Sequence, residues 1–354
     1  MAAGLHRRRG AAAMNSLERV LAALQNRPAD RPAFLLNAGL YGSRLTGASL
    51  KDHYTDPAVY AEGQMAIRET FSPDLLVSPF ALAGLGAAFG SRMSTPHRQP
   101  PNVAAFAAPS AEAALQLPLP DVDSHPQILY LRESIRILAK TYAGQAPVIG
   151  LLASPVDLPP LIIGLEAWLD ALLFQPDTAR ALLHRLSPFF VDLGKAMLSD
   201  GATALALTAN LANRFMVPAP VVEGLGLPSL AQALGEIPGP VILHHGGCPL
   251  LAHLADFMGL PNTVGYVVDA GEELAAARAL LGPGPLLLGN LGGPTLAGLR
   301  PEEVSALCDQ ALAQRTTDPQ FILATSGADI PLDTPPACLQ AITDAVCRAG
   351  GARS

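Results

Sequence analysis

The stretch Val241-Ile242-Leu243-His244-His245-Gly246-Gly247-Cys248-Pro249 decides the fold class. An apolar run stops at two histidines, turns through two glycines, and leads into a helix behind Cys248-Pro249. Val-Ile-Leu reads as a buried strand, Gly-Gly supplies the turn, and Pro suits the first position of a helix. In α/β enzymes, chemistry gathers where the C-terminal ends of strands face helix N-termini. A strand that ends on histidine rather than on another aliphatic residue therefore marks a candidate active site.

Outward from this point the same alternation repeats. Short aliphatic runs bounded by Pro or Gly predict strands over 33–37, 74–78, 148–153, 204–208, 241–244, 263–268, 286–289 and 321–325. Helical patterns fill the intervals, over 57–71, 126–142, 165–199, 230–234, 249–258, 272–281, 302–313 and 335–347. Eight strands each followed by a helix close a (β/α)8 TIM barrel, an α/β architecture in one domain. An open doubly wound sheet would place a glycine-rich phosphate loop after the first strand, and no G-x-G-x-x-G stands there. Residues 14–354 form this barrel. The Pro-, Ala- and Gln-rich segment 91–124 is too long for an ordinary connection; it reads as a loop over the barrel mouth, either a lid or a surface excursion.

Composition narrows the function. Half of the 354 residues are hydrophobic and 15% are charged, enough for a large core. No run of about 18 apolar residues stands uninterrupted, so a membrane span is not expected. The net charge of −7 and the absence of a Lys/Arg block beyond Arg7-Arg8-Arg9 disfavour nucleic acid, which needs a basic face. Met1 to Ala13 is short and basic without an apolar core, so it is no secretory signal. It reads as a disordered arm, or as the product of an upstream start with Met14 opening the folded sequence. Four cysteines without C-x-x-C spacing indicate a reduced cytoplasm rather than a disulfide framework.

In a barrel, residues at strand C-terminal ends share one pocket. His244 and Asp269 are the candidate catalytic groups there; Asn37, Tyr41, Ser78, Asn290 and Asp329 are the candidate substrate-binding groups. Each also has a structural reading: Asp269 as a helix N-cap, Asn290 as a turn residue, Asp329 as an Asx turn, Tyr41 as a packed loop aromatic. Thr208 and Asn210 fall at the same rim, and no Arg or Lys does, which makes a polyanionic or phosphorylated substrate a poor match. Adjacent strand residues face opposite ways, so only one of His244 and His245 is expected to enter the pocket. His53, His97, His125, His184 and His253 read as surface residues, Trp168 as packing, and Cys308, Cys338 and Cys347 as small core hydrophobes on outer helices.

The runs ILHHGG, VVDAGEELAAARALLG, LLLGNLGGP, RPEEV and FILATSGADIPLDTPPACLQAITDAV together resemble the uroporphyrinogen decarboxylase-like superfamily. Upstream, DRPAFLLNAG, LTGASLKDHYTDPAVYAEGQ, PQILYLRESIRIL and ASPVDLPPLIIGLEAWLDALLFQPD extend the likeness from about Leu17 to the C-terminus. The match is closer to the methylcobalamin:coenzyme M methyltransferase branch than to the decarboxylases. It implies the same barrel, a corrinoid that is free or carried on a partner protein, and a small-molecule methyl donor or acceptor. The decarboxylases' Arg-Gln-Ala-Gly-Arg pattern aligns with Leu36-Asn37-Ala38-Gly39-Leu40, and their pyrrole-binding Asp aligns with Pro79, so both cations and the carboxylate are replaced. The methyltransferases' zinc ligands, His-x-Cys after strand five and a Cys in the strand-eight turn, align with His244, Gly246 and Ala328. His244 stays as a candidate ligand; Cys248, with Asp329, offers a rebuilt N/S/O set acceptable to zinc. The expected function is therefore methyl transfer to or from a corrinoid. The alternatives are a barrel that binds a corrinoid, a tetrapyrrole or a corrinoid protein without catalysis, and a decarboxylase of a less anionic substrate.

Overall fold

The computed structural model describes residues 13–351; the N-terminal arm, apart from Ala13, and its arginine cluster lie outside the described residues. Among the described residues ten strands follow one another: β1 (Ala33–Leu35), β2 (Leu76–Val77), β3 (Arg92–Ser94), β4 (Asn102–Ala105), β5 (Val148–Ala153), β6 (Ala204–Thr208), β7 (Val241–His244), β8 (Thr263–Val267), β9 (Leu286–Gly292) and β10 (Phe321–Ser326). Eight of them form one parallel sheet in the order β1-β10-β9-β8-β7-β6-β5-β2, with helices outside it, so the fold is an α/β (β/α)8 TIM barrel. Its interior is filled by small and branched side chains, among them Val77, Ile149, Ala206, Ile242, Leu288 and Ala324. The N-terminal helix Ser16–Leu24 plugs the end opposite the site, adding Val20 and Ala23 to that interior cluster.

The sheet has two ends, β1 and β2, and both strands are too short to make a ladder of their own. Asp74 closes the gap. Its N–H donates to the Phe34 carbonyl at 2.9 Å, and its Oδ2 accepts from the Phe34 N–H at 2.9 Å. The fully buried carboxylate also meets Arg19 Nη1 at 2.5 Å, Arg31 Nη1 at 2.6 Å and Ser16 Oγ at 2.9 Å. One carboxylate thus ties the plug helix, β1 and β2 together.

Helix starts follow the prolines: Pro57, Pro126, Pro176, Pro301 and Pro336 each open a helix, where the missing N–H costs nothing. The helical run predicted as continuous over 165–199 is two helices, Leu165–Phe174 and Pro176–Ser199, because Gln175 precedes a proline and is driven out of the helical region (φ −134°, ψ 55°). The helix expected from Pro249 is also reduced: only a 3-10 turn, Leu251–His253, and the helix Leu254–Phe257 form, leaving Cys248 and Pro249 in the preceding turn. His53 is fully buried rather than on the surface, its Nε2 donating to the Gly39 carbonyl at 2.8 Å, whereas Cys347 is exposed. Trp168 packs as expected, with its indole N–H on the Val156 carbonyl at 2.9 Å. Segment 91–124 contains the antiparallel β3–β4 hairpin and the short helix Ala111–Ala114. It is anchored by Ser91 Oγ on Leu161 O at 2.8 Å and Ala107 N–H on Ile162 O at 2.9 Å, and Arg98 reaches Asp333 beyond β10 at 3.1 Å. Among the described residues no helix is long and apolar enough to cross a membrane.

Replacing Asp74 by Ala leaves Arg31 without its counter-charge and Arg19 with Asp30 alone, and opens the β1–β2 seam. The expected loss is about 3–5 kcal/mol, the range for breaking a buried ion pair from one side. A fall in the urea midpoint at unchanged m-value measures it; a midpoint within error of the parent would contradict the role.

Candidate functional site

At the mouth of the barrel, β7 ends on His244 in register with Thr208, the last residue of β6. Below them lies a cavity of about 50 Å³ whose walls are aliphatic, including Leu35, Leu151, Ile242 and Val267. Its polar lining consists of Asn37, Thr208, His244 and Thr325; among the described residues no charged side chain lines it. The volume accommodates a group of a few heavy atoms, not a macrocycle.

The imidazole of His244 is held in one tautomer. The Gly246 N–H donates to Nδ1 at 2.9 Å, so the neutral ring carries its proton on Nε2. The turn that brings this N–H round needs a left-handed residue, and Gly246 supplies it at φ +63°. Burial, and secondarily the neighbouring His245, push the pKa down to about 3, so the ring is neutral at ordinary pH. His244 therefore offers an N–H donor and no free lone pair.

His245 lies beyond the end of β7, and strand alternation does not apply to it. Its ring stacks on His244, with centroids 4.6 Å apart and planes at 22°, rather than pointing the opposite way. Nε2 accepts from Gly327 N–H at 3.0 Å, and Nδ1 faces Asp269 Oδ2 at 3.5 Å and Gly247 N–H at 3.0 Å. A neutral imidazole accepts at one nitrogen only, so the Gly247 and Gly327 N–H groups compete for the one lone pair of this ring. Burial lowers its pKa, with Asp269 and Glu272 opposing.

Asp269 thus partners His245, not His244, and is absent from the cavity lining; its Oδ1 accepts from Gly271 N–H at 2.9 Å in a local turn rather than capping a helix. Asn290 spends both amide hydrogens on backbone carbonyls, Asp269 O at 3.1 Å and Glu272 O at 2.6 Å, which makes it a brace for that loop. Ser78 Oγ accepts from Leu151 N–H at 2.8 Å and pins β2 to β5. Tyr41 is buried against Phe71 and donates to the Thr334 carbonyl at 2.9 Å, so it packs the β1 and β10 loops together and does not cap the cavity.

Asn37 does reach the cavity. Its backbone is committed, N–H to Thr325 Oγ1 at 2.7 Å and carbonyl to Ile330 N–H at 3.0 Å, whereas its buried side-chain Oδ1 has no partner. Asp329 is not a local Asx turn: its Oδ1 accepts from Gly39 N–H at 2.9 Å, joining the β10 loop to the β1 loop, and its buried Oδ2 is unpartnered. Burial raises this carboxyl to about 7 against the lowering effect of the Leu40 and Gly39 N–H groups. Asp157 was not anticipated. It accepts from Thr208 Oγ1 at 2.7 Å, Asn210 N–H at 2.9 Å and Leu211 N–H at 3.0 Å, and burial raises its pKa. An acid a few residues beyond a strand end, the signal that marked Asp269, marks Asp157 equally well after β5.

The family model for uroporphyrinogen decarboxylase (URO-D) matches residues 15–349. The chain belongs to the uroporphyrinogen decarboxylase family. Within that family it is similar to the methylcobamide:CoM methyltransferase MtbA of Methanosarcina mazei, 24% identical over 335 residues that cover 92% of this chain and 96% of the relative. The MtbA of Methanosarcina acetivorans is 25% identical over the same shares. Among solved structures, a methyltransferase from Methanosarcina mazei superposes with a TM-score of 0.82 at 19% identity, covering 95% of this chain and 99% of its own. A B12-independent methionine synthase from Shewanella superposes more loosely, at a TM-score of 0.55 and 11% identity over 85% of this chain and 91% of its own. Both likenesses show the barrel.

Zinc, which the methyltransferase branch implies, does not fit the residues of this URO-D member. His244 presents a protonated Nε2, and both nitrogens of His245 are engaged. Cys248 is buried in the turn after Gly246, and burial pushes its thiol up. Ala328 is exposed on the turn, and a side chain built on Gly246 would run into the Asn210 amide and the Thr208 methyl. Among the described residues no group of three His, Cys, Asp or Glu is arranged to hold a metal ion, so the rebuilt set of His244, Cys248 and Asp329 does not form.

Two of the buried titratable groups, Asp329 and His244, act on stability with opposite signs. Native Asp329 keeps a proton that the unfolded chain has released between pH about 4 and 7, so its contribution falls as pH rises through that window. Native His244 refuses a proton that the unfolded chain binds below about 6.5, so its contribution falls as pH drops towards 3. Asp329→Asn is therefore expected to gain stability relative to the parent from pH 4.5 to pH 8, by a few kcal/mol at most. Parallel urea-midpoint profiles for the two proteins would contradict this.

Proposed function

We propose that the protein transfers a methyl group between a corrinoid, free or carried on a partner protein, and a small molecule held at the barrel mouth. The observation that carries the reading is the full-length likeness to MtbA combined with a small apolar cavity into which His244 aims its one N–H. The cavity is too small for the macrocycle, so the corrinoid would lie across the mouth and only the reacting group would descend. A corrinoid's amide-fringed rim suits a site whose polar lining is neutral. The corrinoid supplies the cobalt centre at which methyl is gained or lost.

The tautomer of His244 favours one direction. An N–H donor polarises a leaving heteroatom; it takes no proton from a nucleophile at the same atom. His244 Nε2–H would hydrogen-bond the heteroatom from which methyl departs, the heteroatom keeping the bonding pair and taking a proton from water. The aliphatic walls exclude competing solvent and strengthen that hydrogen bond. No step is assigned to zinc or to Asp269. The decarboxylation that names the family finds no support in the lining: Leu36 and Leu40, which replace its arginines, are buried in the core, and unpaired substrate carboxylates would meet no cation.

The misfit of the zinc set favours one second reading, a barrel that binds a corrinoid or a corrinoid protein and transfers nothing. His244→Ala separates the two. Removing one preorganised donor is expected to slow methyl transfer, followed in the visible spectrum of the corrinoid, by about 10²–10³-fold while the fold survives. An unchanged rate would remove His244 from the mechanism. A spectral change on corrinoid binding with no transfer from any donor or to any acceptor would support the binding barrel.

A further inference from the structure

The mouth of the barrel has been emptied of charge but not of hydrogen-bonding capacity. On one wall, at the end of β7, His244 aims Nε2–H with Nδ1 already saturated by Gly246. β1 lies four strands from β7 in either direction round the eight-stranded barrel, so Asn37 stands opposite, and its buried Oδ1 has no partner. Beside Thr208, the Asn210 side chain is fixed by its Nδ2 on the Gly246 carbonyl at 3.2 Å, and its Oδ1 packs against Gly246 rather than lining the cavity. Asn210 also fills the space that a side chain at position 246 would need. The nearby carboxylate of Asp157 is consumed by Thr208, Asn210 and Leu211, so it presents no free charge to the cavity.

Buried donors and acceptors without partners cost free energy unless a ligand or water meets them. A charged ligand end would be desolvated here without a counter-ion, which costs more than any hydrogen bond in the site returns. We infer that the small molecule is uncharged at the end that enters the cavity: an amide, alcohol or similar neutral group that accepts from His244 Nε2–H and donates to the amide oxygen of Asn37. This specificity rests on the reading that the cavity holds the methyl donor or acceptor. It implies a substrate class different from the anionic thiolate that a zinc site would hold.

Three isosteres of one shape test the charge directly. Acetamide, acetate and acetamidinium are titrated separately into the full chain without corrinoid, and binding is read from chemical-shift changes of the His244 ring in NMR. Acetamide is expected to bind at least tenfold more tightly than either ion. Asn37→Leu retains the backbone bonds to Thr325 and Ile330, and it is expected to weaken acetamide binding at least tenfold with the parent's melting temperature. Should Asn37→Leu fail to fold, Asn37→Ala removes the same amide oxygen with a smaller side chain and makes the same test. Tighter binding of acetate or acetamidinium, or acetamide binding that neither variant changes, would overturn the inference. Because no corrinoid is present, acetamide selectivity alongside absent methyl transfer would sink the proposed reaction and leave this specificity standing.

Discussion

The barrel depends on how its two shortest strands are brought together. β1 and β2 have too few residues for a ladder, and Asp74 substitutes for one by offering both its backbone and its carboxylate to Phe34. Such a carboxylate could not be buried alone; Arg19 and Arg31 supply the compensating charge. Arg19 also binds Asp30 at 2.7 Å, so the plug helix is fastened to the same cluster. With that seam closed at the bottom, the strands splay round one axis and their C-terminal ends face a common mouth. The position of Asn37 across from His244 follows from closure, not from any contact between the two.

At the mouth, one backbone hydrogen bond decides what His244 can offer a ligand. A family barrel with cysteines at positions 246 and 328 would present sulfur ligands there, whereas glycine at 246 turns the chain so that its own N–H occupies His244 Nδ1. The ring that could have been a ligand or a base becomes a donor. His245 and Asp269 are drawn off to hold the β8 and β10 loops, and Asn210 fills the vacated space. The groups around His244 are thus partnered through neutral hydrogen bonds.

How far the residues could be read from the chain varied with the kind of interaction that places them. Strands β5, β6 and β7 were legible to the residue, since buried parallel strands read as unbroken aliphatic runs. The short β1 and β2 were legible as strands but overlong, because their ends are held by Asp74 and Ser78 rather than by a ladder. The break at Gln175 was missed although the following proline announces it. Among site residues, His244 and Asn37 were placed at the mouth by strand position alone. Ser78, Tyr41, Asn290 and Asp269 share that position in sequence, but their polar atoms are taken by backbone groups from other loops.

By itself, then, the amino-acid sequence determined the barrel, its family and the strand end that carries the candidate site. These are properties of periodicity, of proline and glycine placement and of local motif, all of which are written along the chain. Only the tertiary structure decided that His244 carries its proton on Nε2, that Asn37 and Asn210 keep free oxygens, and that among the described residues no ligand set for zinc is assembled. Each of those depends on which donor from a distant segment reaches which atom, and hydrogen-bond partnership across a closed barrel has no periodicity to betray it.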